Sequence, residues 1–329
     1  MPPSTQPPAA PSSPSPAISV VLCTWNRAEL LEGALEALLA QHSAPPHEIV
    51  VVDNNSTDHT PTVVERCAAA HRQVRYVFEP SQGLSHARNT GIARTSGTIV
   101  AFTDDDVRVP AGWLRTIVET AEQYPDAAYF GGPVRPIWAQ PPPIWLIEEA
   151  WSGLGVQSYG EQMLRTDARR PLCLIGANLM IWRRVLDSVG AFDPAVQRVR
   201  NGIGSTEDDE YQRRIWMTGA HGVYDPRLSV HALVTADRLT KSYHRRWHFG
   251  HGRHVARMRL PEMERSRWHV FGVPAHLVRQ GCLDAAWALS AWLRGEATFQ
   301  HELHLWFKAG FIRERLTTAP LGQTSQPDR

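Results

Sequence analysis

No apolar run in this chain is long enough to cross a bilayer, and the N-terminus lacks the basic segment followed by an apolar one that marks a secretory leader. Cysteine is scarce: Cys23, Cys67, Cys173 and Cys282 are scattered without CxxC spacing, which suits thiols used as small core residues in a reducing cytosol. A strong charge of either sign is also missing. The formal net charge of +1 argues against wholesale nucleic-acid binding. No internal repeat is visible. What remains is an ordinary globular composition, 43% hydrophobic and 20% charged over 329 residues, enough for one large core or one core plus an appendage. Residues 1–17 are Pro/Ser/Ala low complexity and read as a disordered tail.

The run Thr98-Ile99-Val100-Ala101-Phe102-Thr103 reads as a strand covered on both faces, and it ends in Asp104, Asp105 and Asp106. Parallel α/β sheets present ligand sites where strands end at their carboxyl edge. Three carboxylates held there repel one another unless a cation sits among them. Hard oxygen ligands suit Mg2+ or Mn2+ bridging carboxylates to substrate phosphates. The expectation is a metal–diphosphate site.

Strands are also expected at 18–22, 48–52 and 74–78, with a first helix whose apolar repeat runs from Leu30 to Leu39 and further helices at about 60–70 and 84–94. Asn26 is the expected helix cap, with Glu29 three residues later. Alternating strands and helices imply a mostly parallel sheet. Residues 131–151, with five prolines and three tryptophans, read as a long ordered loop. Residues 172–182 read as a buried strand, and Glu207-Asp208-Asp209-Glu210 opens a helix to about Thr218, where acids also suit the macrodipole.

The motifs ISVVLCTWNR, EIVVVDNNSTD, QGLSHARNTGIARTSG, IVAFTDDD, GANLMIWRRVLDSVGAFD and STEDDEYQRR, with the Pro and His of DPRLSVH, stand in the order of a family 2 glycosyltransferase. From Ile18 to about Ala232 the chain resembles that family. The resemblance implies a GT-A fold, a Rossmann-like mostly parallel sheet with flanking helices, followed here by a C-terminal helical region. It implies a GT-A domain over 18–235, with a nucleotide-binding half (18–106) and an acceptor half (107–235), then a helical region over 236–320. Asp53 would bind the nucleotide base, Thr24, Arg27 and Asn55 would line the nucleotide pocket, and Arg88 and Asn89 would lie near diphosphate and ribose. Asp104, Asp105 and Asp106 match the DxD motif, with Asp106 the metal ligand beside Asp104, and His231 completing the site. Asp208 takes the place of the general base beside Glu207, an acceptor contact. Apart from the resemblance, Trp138 and Trp182 are candidate acceptor contacts, set against a reading of Trp138, Trp145 and Trp151 as a packing cluster under the Pro-rich loop. The usual Asp-Asp-Gly-Ser after the second strand is Asp53-Asn54-Asn55-Ser56 here.

The chemistry asks for the same groups. A leaving diphosphate needs charge stabilisation, which a metal on Asp106 supplies as a Lewis acid. The acceptor hydroxyl needs a base on the opposite face of the sugar, and Asp208 fits. Direct displacement inverts the anomeric centre. The partners are then a nucleotide-diphosphate sugar and a glycan, lipid-linked or small-molecule acceptor. Two other classes stand beside this reading. A nucleotidyltransferase of sugar phosphates would carry a Gly- and Lys/Arg-rich loop after the first strand, where this chain has Cys23-Thr24-Trp25-Asn26-Arg27. A non-catalytic nucleotide-sugar module would not need both acid clusters.

Between Lys241 and His269 eight Lys/Arg stand against Glu262 and Glu264, a local balance of +6. Arg246-Trp247 matches part of the Gln-x-x-Arg-Trp motif of processive members, with Tyr243 in place of Gln. Without spanning helices, single addition is expected, with Arg246 near donor or acceptor. Beyond Trp268 lie two or three amphipathic helices. The expected location is cytosolic, with peripheral contact at the inner membrane face set against an inward use of the same charge.

Overall fold

The computed structural model describes residues 17–199, 202–204, 206–295 and 299–317. The expected tail over 1–17 lies outside the described residues, apart from Ala17. In chain order the first half comprises β1 (Ile18–Thr24), α1 (Ala28–Leu39), β2 (His47–Asp53), α2 (Thr60–Ala70), β3 (Val74–Phe78), α3 (Leu84–Ala93), β4 (Ile99–Asp104), β5 (Val107–Arg108), α4 (Trp113–Gln123), β6 (Tyr129–Gly131) and β7 (Val134–Trp138). A 3-10 segment, Glu148–Leu154, precedes β8 (Leu164–Thr166), β9 (Asn178–Trp182), α5 (Arg183–Val189), α6 (Glu207–Met217), β10 (Gly222–Tyr224) and β11 (Val230–Val234). The chain ends in α7 (Lys241–Met258), a small hairpin of β12 (His269–Val270) and β13 (Val273–Pro274), α8 (Ala275–Leu293) and α9 (Phe299–Thr317).

Eight strands form one sheet in the order β3-β2-β1-β4-β9-β6-β10-β8, and β5-β11-β7 form a smaller one. β3, β2, β1 and β4 run parallel, whereas β9 is inserted antiparallel between β4 and β6. The mostly parallel sheet with flanking helices is therefore as expected. Near-continuous apolar strands are what a sheet covered on both faces requires. Side-chain alternation sends Val20, Leu22, Ile49 and Val51 to one layer and Val21, Val50 and Val52 to the other. Leu31, Ala34, Leu35 and Leu38 of α1 repeat at helical spacing and close the first layer.

Three local expectations are corrected. Asn26 does not cap α1: it sits at φ 52°, and its side-chain oxygen accepts from the N–H of Thr57 at 2.6 Å, tying the β1–α1 turn to the β2–α2 loop. Asp58 instead accepts from Ala28 N–H at 3.3 Å. The 131–151 stretch contains β7, whose Pro136 is tolerated because β7 is the edge of the small sheet. Residues 172–177 are not strand. Gln212 bonds both Leu174 N–H and Leu174 C=O at 2.8 Å, taking the place of a strand partner.

The C-terminal helices α7 and α9 touch through backbone. A Cβ at Gly252 would lie 2.0 Å from the Phe307 carbonyl oxygen, and one at Gly310 1.9 Å from that of Phe249, so only glycine permits the approach.

Candidate functional site: an acid-lined cleft at the sheet edge

In-register parallel pairing sets Thr24 beside Asp53 and Cys23 beside Asp104, so β1, β2 and β4 deliver their last side chains to one edge. There Thr24 Oγ1 donates to Asp105 at 2.9 Å, and Arg27 Nη1 bridges Asp105 at 2.9 Å and Asp106 at 3.3 Å. Arg238, from the segment before α7, reaches Asp106 at 3.3 Å. Asp105 is thus committed to the protein. Asp104, packed among these charges, is pushed up to about 6 by burial and then by the Asp106 carboxylate, against Arg88 and Arg198. Burial also pushes the Cys23 thiol up to about 12, so it stays protonated.

The second acid cluster faces the first across the cleft. Arg88, buried on α3, donates to Asp208 at 2.5 Å and lies 3.9 Å from Glu207. Gly176 N–H donates to the other Asp208 oxygen at 2.8 Å. A Cβ at Gly176 would lie 2.1 Å from the Arg88 guanidinium, so a larger residue here would have to displace the Arg88 and Asp208 side chains. Glu207 is 2% exposed, and its Oε2 has no hydrogen-bond partner among the described residues. Burial, then the Asp208 charge, pushes its pKa up, with Arg88 opposing.

The cleft holds about 1190 Å³. Of the expected site residues, Thr24, Arg27, Arg88, Asp104, Asp105, Asp106, Glu207, Asp208 and Arg246 line it together. Others are placed elsewhere. Asp53 is buried beside the cleft, with its two oxygens taken by Ser56 N–H and Tyr76 Oη at 2.9 Å each. Asn55 turns outward at φ 63° and donates to the Pro80 carbonyl. Asn89 exchanges two hydrogen bonds with the Phe192 backbone, a structural staple. His231 is exposed: strand alternation gives the cleft its neighbour Ala232 instead, which removes His231 from the metal site. Trp138 packs edge-on against Trp151 at 5.3 Å, and Trp182 against Phe130 at 6.4 Å under the Arg184 guanidinium. Neither lines the cleft, which corrects their reading as acceptor contacts.

Several lining residues escaped the sequence reading. Arg198 comes from an irregular segment and Arg238 from a short 3-10 turn, Ala236–Leu239, with no pattern to mark either. α7 and α9 supply Tyr243, Trp247, His248, His251, His304 and Phe307, a helical wall opposite the sheet edge. Trp247 and His251 stack at 4.7 Å. Burial, with neighbouring imidazoles, pushes His248 down to about 4 and keeps it neutral.

Among the described residues no three His, Cys, Asp or Glu side chains form a ready cage for a metal ion. The donor set still fits one kind of ion. With Asp105 committed, Asp104 and Asp106 offer hard oxygens at the cleft, and Mg2+ or Mn2+ usually takes one or two carboxylates and fills its sphere with water and phosphate oxygens.

Comparison with known proteins accords with this geometry. Residues 19–190 match the family model described as glycosyl transferase family 2. A glucosyl-dolichyl phosphate glucuronosyltransferase of Haloferax volcanii is 29% identical over 218 residues, 65% of this chain and 68% of that protein. A GalNAc(5)-diNAcBac-PP-undecaprenol beta-1,3-glucosyltransferase of Campylobacter jejuni is 34% identical over 110 residues, 33% of this chain and 36% of that one. The mannosyltransferase PcManGT from Pyrobaculum calidifontis, solved with GDP-Man and Mn2+, superposes with a TM-score of 0.57 at 20% identity, covering 91% of this chain and 87% of its own. That likeness establishes the GT-A fold. A family match spanning just over half of the chain, on this fold and with two facing acid clusters, makes it a glycosyltransferase: the chain belongs to glycosyl transferase family 2.

Proposed function

We propose that this enzyme moves a single sugar from a nucleotide-diphosphate donor to an acceptor hydroxyl with inversion at the anomeric carbon. The observation that carries the reading is the meeting of Asp104–Asp106 and Glu207–Asp208 in one cleft, with Arg88 between them. The GT-A unit runs over 18–235, its nucleotide half ending at the acid-tipped strand, and the helices beyond 236 form the far wall. Asp106 and Asp104 would hold a divalent cation, which supplies Lewis-acid stabilisation of the leaving diphosphate. Arg27, Arg198, Arg238 and Arg246 surround that position and add charge-assisted hydrogen bonds to phosphate oxygens. Thr24 and Arg27 fix the acid edge before substrate arrives, and Asp53 orients the loop after β2 on which the base would rest.

Asp208 accepts the proton of the acceptor hydroxyl as that oxygen attacks. Arg88 and Gly176 N–H orient its carboxylate, and the remaining lone-pair positions stay open for the hydroxyl. Glu207 lies behind it, buried, 3.9 Å from the Arg88 guanidinium that orients Asp208. Tyr243 and Trp247 give the wall aromatic surface against which an acceptor sugar would pack. A lipid-linked acceptor is favoured, since the names of two relatives carry dolichyl phosphate and undecaprenol. Such an acceptor calls for peripheral contact with the inner membrane face.

The test is a thermal-shift screen of UDP-, GDP- and dTDP-sugars with and without Mn2+, followed by assay of free nucleoside diphosphate. A ligand that binds only the folded state raises the melting temperature by mass action. One donor class should stabilise the protein, more so with Mn2+. Stabilisation by sugar 1-phosphates with nucleoside triphosphates instead would favour nucleotidyl transfer, and binding without turnover a non-catalytic module.

A further inference from the structure

Part of the basic stretch from Lys241 to His269 is engaged by the protein and its cleft. Arg245 pairs with Glu302, Arg253 and Arg257 both pair with Glu314, and Arg246 lines the cleft. The next helix poses a different problem. From Cys282 to Leu293 the sequence of α8 is CLDAAWALSAWL, whose one charge, Asp284, is turned to α9 and paired with Lys308. A helix that is hydrophobic all round is normally buried. This one is not: Leu277 and Ala291 are its buried residues, whereas Leu283, Leu289, Trp292 and Leu293 are 54%, 59%, 68% and 71% exposed. At 100° per residue, Cys282, Ala285, Ala286, Leu289 and Leu293 share one outward stripe, and all are exposed.

The adjoining hairpin repeats the pattern. Trp268 accepts the first N–H of α8 through its carbonyl, yet its side chain is 80% exposed, and Phe271, at the turn with φ 50°, is 84% exposed. Arg265, Arg267 and Arg279 stand around this end of the helix, exposed and without an ion pair among the described residues. A contiguous bare apolar surface of this kind marks an interaction site. Among the described residues no helix is long and apolar enough to cross a membrane. The apolar stripe, about 18 Å long, suits instead a helix lying in the plane of an interface, with arginines reaching anionic headgroups.

We propose that the outward face of α8 and the tip of the β12–β13 hairpin dock on an anionic phospholipid bilayer. The proposal deepens the reading of a lipid-linked acceptor and rests on it. α9 contributes His304 and Phe307 to the cleft and packs against α8, so the docked face lies one helix, about 10 Å, behind the acceptor wall. An acceptor sugar on a membrane-held carrier would then meet the cleft without leaving the surface.

The experiment is flotation of the full chain with vesicles of phosphatidylcholine containing roughly 30 mol% phosphatidylglycerol. Wild type should float, and Leu289→Glu combined with Leu293→Glu should cut partitioning at least about tenfold at an unchanged melting temperature. Arg265→Glu with Arg267→Glu should weaken flotation several-fold at low salt, a difference that fades at about 0.5 M salt through screening. Absence of flotation at low salt overturns the proposal, as does undiminished flotation of the leucine variant. So does conversion of a wild-type dimer to a monomer by that variant with flotation unchanged, which would give the face to a second copy. Flotation uses no substrate, so the two readings fail separately. Flotation without turnover of a polyprenyl-linked sugar in detergent supports the docking surface and removes the acceptor reading. Turnover in detergent without flotation does the reverse.

Discussion

Across one cleft, Asp105 and Asp106 on the sheet edge face Trp247 and His248 on α7, and the two sides hold their side chains by different means. The edge is an ionic lattice in which Thr24, Arg27 and Arg238 fix the carboxylates before any substrate arrives. The wall is largely aromatic beside Arg246, and burial keeps His248 uncharged. Preorganised charge suits a diphosphate whose shape never varies, because it stabilises the transition state without reorganisation. On the proposed function, the contrast assigns the diphosphate to the edge and the acceptor to the wall.

Substitutions at the acid clusters break the comparison hardest. Asp208→Asn should lower turnover by about a hundred- to ten-thousand-fold while donor affinity, measured calorimetrically, is nearly unchanged. Near-wild-type turnover would assign the proton to another group. Asp106→Ala should reduce donor affinity in Mn2+ to the value seen in EDTA, a loss on the order of tenfold or more, and full turnover of wild type in excess EDTA would end the metal assignment. Gly176→Ala forces a methyl group against Arg88 and Asp208. It should cost about 1–3 kcal/mol of stability and lower kcat more than donor binding, read by denaturant melts beside initial rates.

A milder test uses acid. Burial pushes His244, His248 and His254 of α7 each down to about 4 in the folded chain. Unfolding frees them to bind protons near their ordinary value of about 6.5, so their contribution is complete above that pH and is lost as pH falls toward 4. Melting temperature should therefore drop between pH 6.5 and 4, and His248→Asn should flatten that slope. A slope unaltered by the substitution would place the acid sensitivity elsewhere. Smallest of all is Glu48→Gln, at the far edge of the sheet. There Ser19, both donors of Ser96 and Arg75 outweigh the cost of burial and hold Glu48 below the usual carboxylate range. The loss should be about 1 kcal/mol in a denaturant melt, with turnover intact.

The legible parts of the fold were those with a strong period. α2 and β3 fall on the expected residues, and the apolar strands β1, β2 and β4 announced a sheet covered on both faces with acids at its tip. The illegible parts depended on partners distant in sequence. Pro136 hid a strand that tolerates proline only because it is an edge, and Gln212 replaced a ladder that Leu172–Ala177 had suggested. His231 was lost to strand parity, since a one-residue difference in phase decides which neighbour faces the cleft. Arg198 and Arg238 carried no local signal, and Trp138 and Trp182 were indistinguishable by sequence from aromatic platforms until their packing partners were seen.

Gly252 and Gly310 have a mechanical meaning. Where two helices meet through side chains they roll and slide over a compliant layer; here carbonyl oxygens abut the opposing backbone with no such cushion. α7 and α9 therefore behave as one stiff plate. The proposed docking of α8 would bear on α9, whose backbone is set directly against that of α7 at these two glycines.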